Sequence, residues 1–155
     1  MGVGIRHQRG LTLIELVSAV AIVGILAGLA LPMARVQIRR QKEVELRRAL
    51  REMRTAIDRH KDAADRGLLQ VKLGTEGYPP ALETLVKGVQ LGGAPDRRVR
   101  FLRKIPVDPM TGYPEWGMRS VQDSPDAGSW GGQNVFDVYS RSTATALDGT
   151  RYSDW

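Results

Sequence analysis

An uncharged run of 19 residues, from position 16 to 34, constrains the fold of this 155-residue chain more than any other feature. As an α-helix the run spans roughly 28 Å, which is close to the thickness of the hydrocarbon layer of a bilayer. The apolar region of a secretory signal peptide is shorter, about 7–15 residues, and leads directly into a small-residue cleavage site. The run therefore predicts one membrane-spanning helix, with a signal peptide and an uncut signal anchor as the simpler alternatives.

The charges on either side of the run predict its orientation. Arg6 and Arg9 precede it without any acidic residue, and positive charge before the first apolar helix favours retention of that end in the cytoplasm. Four basic residues also follow the run, between positions 35 and 42, and they reduce the charge asymmetry. We therefore expect the C-terminal part of the chain to be translocated.

Glu15 is a carboxylate at the start of the apolar run, and neither simpler alternative explains it. An unpaired carboxylate costs about 3 kcal/mol at the centre of a bilayer, so it needs a partner. Cleavage after Gly10 would create an α-amino group at Leu11, four residues before Glu15 and on the same helical face. Pairing of that amine with the carboxylate, within one chain or between neighbouring copies, would remove the cost.

The stretch from Gly10 to Glu15, Gly-Leu-Thr-Leu-Ile-Glu, followed by an apolar helix, resembles the prepilin signal of type IV pilins and type II secretion pseudopilins. The resemblance implies that a prepilin peptidase cuts between Gly10 and Leu11 and that the new terminus, Leu11, is N-methylated. It also implies that Glu15 serves in subunit assembly and that Pro32 matches a proline common in the family. Leu11 differs from the phenylalanine that more often begins the mature chain.

An amphipathic stem helix is predicted beyond the membrane. Residues 35–66 contain no glycine and no proline. Leu46, Leu50, Met53 and Ile57 recur at spacings of four, three and four, which forms one apolar stripe on a charged helix. Gly67 is a plausible stop for this helix.

The many arginines of the stem raise the alternative of a nucleic-acid-binding helix. Four acidic residues interrupt the positive charge between positions 43 and 58, and no aromatic residue is interleaved for base stacking. A solvated helix face is the favoured interpretation, and no nucleic-acid partner is expected.

Residues 67–155 are predicted to form a small α+β domain. Tyr78-Pro79-Pro80 precedes a short helix over residues 81–88, and the glycine-rich, basic residues 89–98 are expected to be a loop. Short strand-like runs lie near residues 115–121 and 135–139. The predicted fold is thus α+β and pilin-like: a long N-terminal helix, membrane-spanning in its first half, packed against a small antiparallel sheet. The predicted order is leader (1–10), membrane or filament-core helix (11–34), stem (35–66) and C-terminal domain (67–155).

Several short blocks of the C-terminal domain are similar to the major pseudopilin of type II secretion systems. They are Tyr78-Pro79-Pro80 with its Leu-Glu-x-Leu-Val helix, the Phe-Leu-x-x-Ile-Pro-x-Asp-Pro segment of residues 101–109, Phe136-Asp137-Val138-Tyr139-Ser140, Asp148-Gly149 and Asp154-Trp155.

This resemblance implies a single-pass protein of the bacterial inner membrane with a periplasmic C-terminal domain. The chain would be extracted into a homopolymeric pseudopilus that drives protein export. Minor pseudopilins, inner-membrane assembly platform proteins and the prepilin peptidase would be its partners. The alternatives are a type IV pilin for adhesion, motility or DNA uptake, and a monomeric membrane-anchored binding domain.

The same resemblance implies a calcium ion bound near the end of the chain, with Asp148 and Asp154 as the matching carboxylates. Calcium takes about six to eight oxygen ligands, and neighbouring hydroxyl and carbonyl groups would supply the others. An Asp-Gly pair such as Asp148-Gly149 is also typical of an ordinary turn.

Enzyme motifs are missing from the sequence. It contains no phosphate-binding G-x-x-x-x-G-K-[ST] loop, no H-E-x-x-H and no G-x-S-x-G. The chain has no cysteine, which excludes thiol chemistry and disulfides. We expect a structural subunit rather than an enzyme, with His60 as a structural side chain of the stem.

Overall fold

The computed structural model describes residues 12–155 and shows an α+β chain with one long helix. Helix α1 covers Leu13–Asp65, 53 residues in all, and the chain divides into two compact units after Arg39. The elements of the second unit that follow α1 are short: α2 (Leu82–Lys87), β1 (Val89–Leu91), β2 (Ala94–Val99), β3 (Trp116–Arg119), β4 (Asp137–Ser140) and a 3₁₀ turn (Tyr152–Asp154).

The apolar stripe of the stem is the centre of the hydrophobic core, as its spacing predicts. Leu46, Leu50, Met53 and Ile57 are all buried. They pack with apolar side chains from α2, from β3, from β4 and from the segments between and after these elements: Leu82, Leu85, Leu102, Trp116, Val135, Val138, Ala146 and Tyr152. The stem is therefore one layer of the fold, and the short elements form the other.

Helix α1 ends at a glycine in the left-handed conformation. Gly67 has φ of +69°, its N–H donates to the Ala64 carbonyl, and the Leu68 N–H donates to the Ala63 carbonyl. This pair of hydrogen bonds is the Schellman arrangement, in which glycine is favoured because it has no Cβ. The predicted stop at Gly67 is confirmed.

The predicted loop at residues 89–98 is wrong, because this segment is a β-hairpin. Strands β1 and β2 pair antiparallel, with Val89 opposite Val99 and Gln90 opposite Arg98. Gly92 and Gly93 lie at the turn, and Gly93 has φ of +84°. Turn glycines in this conformation reverse the chain, so the glycine-rich composition marks the hairpin turn rather than a whole loop.

The second strand pair, β3 with β4, confirms the two strand-like runs near residues 115–121 and 135–139. Gly117 lies opposite Tyr139 in the antiparallel register. A Cβ added at Gly117 would collide with the Tyr139 ring, so the ring covers the glycine. The described residues thus form two separate two-stranded sheets, β1–β2 and β3–β4, where the sequence predicted one small antiparallel sheet.

A buried aspartate joins the segment of residues 101–109 to β4. Asp108 accepts a hydrogen bond from the Met110 N–H at 2.7 Å and another from the Ser140 hydroxyl at 2.6 Å. The Trp116 indole N–H donates to the Pro106 carbonyl at 2.9 Å. These bonds satisfy buried polar groups and fix the loop before β3.

We predict that Leu50→Ala destabilises the protein by about 2–5 kcal/mol, because it leaves a cavity in the core beneath the short elements. Urea unfolding of the full chain in detergent, followed by tryptophan fluorescence, measures the change. The matched control is Leu73→Ala at a fully exposed leucine. Equal stability of the two variants would contradict the assignment of the stem stripe as the core.

Candidate functional site

The start of α1 is the first candidate site, and Thr12 caps it. The Glu15 N–H donates to the Thr12 hydroxyl at 3.4 Å and to the Thr12 carbonyl at 3.1 Å. A threonine at the cap with glutamate three residues later is the capping-box pattern, in which the glutamate also complements the positive end of the helix dipole. Sequence reasoning missed this role of Thr12, although the Thr-x-x-Glu spacing was the available signal.

The other residues predicted at this site are placed only in part. Gly10 and Leu11 lie outside the described residues, so cleavage between them and methylation of Leu11 stay predictions. Helix α1 continues through position 32 despite Pro32. The Glu15 side chain is exposed, and no basic group within residues 12–155 forms an ion pair with it.

The first part of α1 exposes apolar side chains on every side. All side chains from position 13 to 28 are exposed; examples are Leu13 at 82% and Ile25 at 65%. A Cβ added at Gly24 or Gly28 would meet nothing within 4 Å. An apolar surface that surrounds a helix is covered by lipid or by other proteins.

By length and composition α1 is able to cross a membrane. Its most apolar 18-residue window has a mean hydropathy of 2.4 and is not buried at all by the rest of the protein. Among residues 12–155, α1 is the one helix that meets this description. The helix is compatible with a single-pass membrane anchor.

The C-terminal segment, residues 144–155, is the second candidate site, and a side chain of the stem holds it. Arg54 donates to both Asp137 carboxylate oxygens, at 2.7 and 3.3 Å, and to the Val138 carbonyl at 3.1 Å. It also donates to the main-chain oxygen of Trp155 at 2.8 Å. Because charge-assisted, two-point hydrogen bonds of this kind are strong and directional, Arg54 fixes β4 and the C-terminal segment to the stem.

Glu43 and Arg47 hold the same segment from the preceding turns of the stem. The Glu43 carboxylate accepts from the Tyr152 hydroxyl and from the Leu147 N–H, each at 2.9 Å. The Arg47 guanidinium lies 4.2 Å from the centre of the Trp155 ring. Positions 43, 47 and 54 follow the same helical spacing as the apolar stripe, which was the sequence signal for this face.

The carboxylates of Asp148 and Asp154 already accept hydrogen bonds from other groups of the protein. One Asp148 oxygen accepts from the Thr150 N–H and the Thr150 hydroxyl, at 2.9 and 2.6 Å, and the other lies 3.4 Å from Arg47. The Thr150 bonds and the Arg47 charge lower the pKa of Asp148 below its ordinary value. Asp154 accepts from the adjacent Ser153 hydroxyl at 3.1 Å.

This donor set does not fit a calcium ion. Calcium takes about six to eight oxygens and favours several carboxylates, whereas Asp148 faces a guanidinium. No group of three or more histidine, cysteine, aspartate or glutamate side chains suited to a metal occurs in the described part of the chain. Calcium at Asp148 and Asp154 therefore stays what the sequence resemblance implies, and the geometry of these residues does not support it.

His60 is a buried residue of the core. Its Nδ1 atom donates to the Gly77 carbonyl at 3.0 Å, and its ring packs edge-on against Phe101 at 5.3 Å. Burial lowers the pKa of His60 below its ordinary value, and the bond to Gly77 partly opposes that shift. These contacts are structural, in agreement with the prediction.

A comparison with known families bears on the first site. Residues 5–31 match the family model described as the prokaryotic N-terminal methylation motif. The matched stretch contains Gly10, Leu11 and Glu15, and it supports a pilin-like family in general, with prepilin processing and polymerisation as that family's common features. No curated protein and no solved structure matches the chain.

We predict that Arg54→Gln destabilises the protein by about 2 kcal/mol, because it removes charged hydrogen bonds to Asp137 and to Trp155. Urea unfolding of the full chain measures the loss. Arg48→Gln is the matched control, since Arg48 is an exposed arginine of the same helix. If Arg54→Gln is as stable as the control, Arg54 does not hold the C-terminal segment.

With Asp148 bonded to Thr150 and facing Arg47, we expect the full chain to melt at the same temperature in excess calcium as in a chelator. Differential scanning calorimetry measures the two transitions. A higher melting temperature in calcium, abolished by Asp148→Asn, would place the ion at this segment and contradict the expectation.

Proposed function

We propose that this chain is a pilin-like subunit that is cleaved between Gly10 and Leu11 and then polymerises, and that the polymer is the pseudopilus of a type II secretion system. The single observation that carries the proposal is the methylation motif at residues 5–31 on a chain whose apolar helix, α1, has no cover of its own over positions 13–28. The structural-subunit role involves no catalysis by this chain.

The exposed apolar surface of α1 supports a membrane-bound state followed by a polymeric state. In the membrane, lipid covers the apolar side chains of residues 13–28, so these side chains stay out of water. After extraction from the bilayer the same surface would meet water, which is unfavourable by about 25 cal/mol per Å² of apolar area. Packing against the same helices of other copies removes that penalty, so a helical polymer is the second environment.

Glu15 supports ordered assembly rather than non-specific association. Its carboxylate has no basic partner within the described residues 12–155, and cleavage after Gly10 would supply an amine at Leu11. Pairing of Glu15 with the Leu11 amine of a neighbouring copy stabilises both charges away from water. One ion pair for each subunit would then set how far each new copy inserts.

The pseudopilus is favoured over an adhesive pilus by the short blocks shared with major pseudopilins. Adhesive pilins usually carry a C-terminal disulfide, and this chain has no cysteine. The proposed location is the bacterial inner membrane, with the C-terminal domain in the periplasm. The proposed partners are the prepilin peptidase, the assembly platform and minor pseudopilins.

We expect Glu15→Ala to be cleaved and inserted into the membrane normally but to form no filaments, because the Leu11 amine then has no carboxylate to bind. Mass spectrometry of the purified chain measures cleavage and methylation at Leu11, and electron microscopy counts the filaments. Glu45→Ala is the matched control, at an exposed glutamate of the stem outside the apolar run.

Normal filaments from the Glu15→Ala chain would contradict the assembly role. A wild-type chain that still begins at Met1 would contradict the cleavage. Deletion of the chain from its native host separates the two kinds of filament, since a pseudopilin is required for protein export and an adhesive pilin for surface fibres.

A further inference from the structure

A groove beside the stem is lined by four arginines that form no ion pair within residues 12–155. It has a volume of about 520 Å³ and lies between one face of the stem and the segment of residues 101–103. Arg48, Arg51 and Arg59 reach it from the stem, and Arg103 reaches it from the opposite side. All four side chains are exposed.

None of these four arginines has a carboxylate oxygen within 4.0 Å in the part of the chain that the structure describes. Arg47 and Arg54, on the neighbouring face of the same helix, are both paired with aspartates. Among the described residues that line the groove, Glu52 is the one acidic residue. The groove therefore carries an excess of three positive charges.

The groove also has an apolar floor. Leu102 is buried and Phe101 is half-buried, and both line the groove together with Ala56. A site that combines guanidinium groups with apolar side chains binds a ligand with both anionic and apolar parts.

We propose that this groove binds an acidic protein segment, with at least two carboxylates placed around an apolar side chain. A guanidinium presents two parallel N–H donors that match the two oxygens of a carboxylate. Carboxylates on one side of the segment would bind Arg48 and Arg51 of the stem. A carboxylate on its other side would bind Arg103. The apolar side chain of the segment lies on Phe101 and Leu102.

The same residues disfavour a nucleic acid. Single-stranded nucleic acids bind through aromatic faces on which bases stack, and Phe101 is the one aromatic residue that lines the groove. Its ring is partly buried against His60, at a centroid distance of 5.3 Å. The groove offers one partly covered aromatic ring, which suits the single apolar side chain of a carboxylate-bearing peptide better than a row of stacked bases.

The test is the binding of a fluorescein-labelled peptide, Asp-Glu-Leu-Asp-Glu, to the full chain in detergent, followed by fluorescence anisotropy. We expect saturable binding that weakens about tenfold in the double variant Arg51→Gln with Arg103→Gln, because the two flanking charges are lost. The matched control is Arg97→Gln with Arg98→Gln, which removes the same charge from exposed residues of β2. We expect the control to change the affinity less than about twofold. Equal melting temperatures of the two double variants verify that both are folded.

Equal loss of affinity in both double variants would show diffuse charge attraction and overturn the proposal. The absence of saturable binding by the wild-type chain would overturn it as well. Tighter binding of an oligothymidylate with the same number of charges would reassign the groove to nucleic acid. None of these outcomes depends on filament assembly, so the proposed function and this inference succeed or fail separately.

Discussion

Burial of one face of the stem helix is the interaction on which the C-terminal domain depends. The strands contain only three to six residues each and pair two by two, and isolated two-stranded hairpins are marginally stable in water. Trp116 of β3 and Val138 of β4 pack in one core with the stripe of Leu46, Leu50, Met53 and Ile57. The stem thus supplies the second layer of a domain that is otherwise too thin to exclude water from its core.

The spacing of apolar residues along the sequence predicted those helices and strands that bury one face and expose the other. The stem stripe, α2 and the strands β3 and β4 all follow from local patterns of apolar and turn-forming residues. The hairpin of β1 and β2 could not be predicted from such a pattern, because β2 contains Ala94, Pro95 and Asp96, which are poor strand formers. Its pairing depends on the glycine turn and on the register of Val89 with Val99, which local composition does not encode.

The two candidate sites also differ in how far they could be predicted from the sequence. At the start of α1 the relevant residues are neighbours in sequence, so the Thr12 cap and the position of Glu15 are readable from spacing. The contacts of the C-terminal segment join residues far apart in sequence, since Arg54 and Trp155 are separated by 101 positions. Sequence resemblance assigned Asp148 and Asp154 to a metal, whereas the fold gives Asp148 to Thr150 and Arg47. The charged residues at positions 43, 47 and 54, which follow the helical spacing of the apolar stripe, were the sequence signal for these contacts.

The sheet of β3 and β4 has a further consequence for how this domain tolerates sequence change. The Tyr139 ring lies across Gly117, and the Arg119 guanidinium covers the ring at 4.4 Å from its centre. Even the methyl group of an alanine at position 117 would displace the Tyr139 ring. The Arg119 guanidinium would then lose the aromatic face on which it stacks. Any side chain at this position therefore requires the half-exposed Tyr139 ring to turn away, so the residue chosen in β3 determines whether the arginine–tyrosine contact forms.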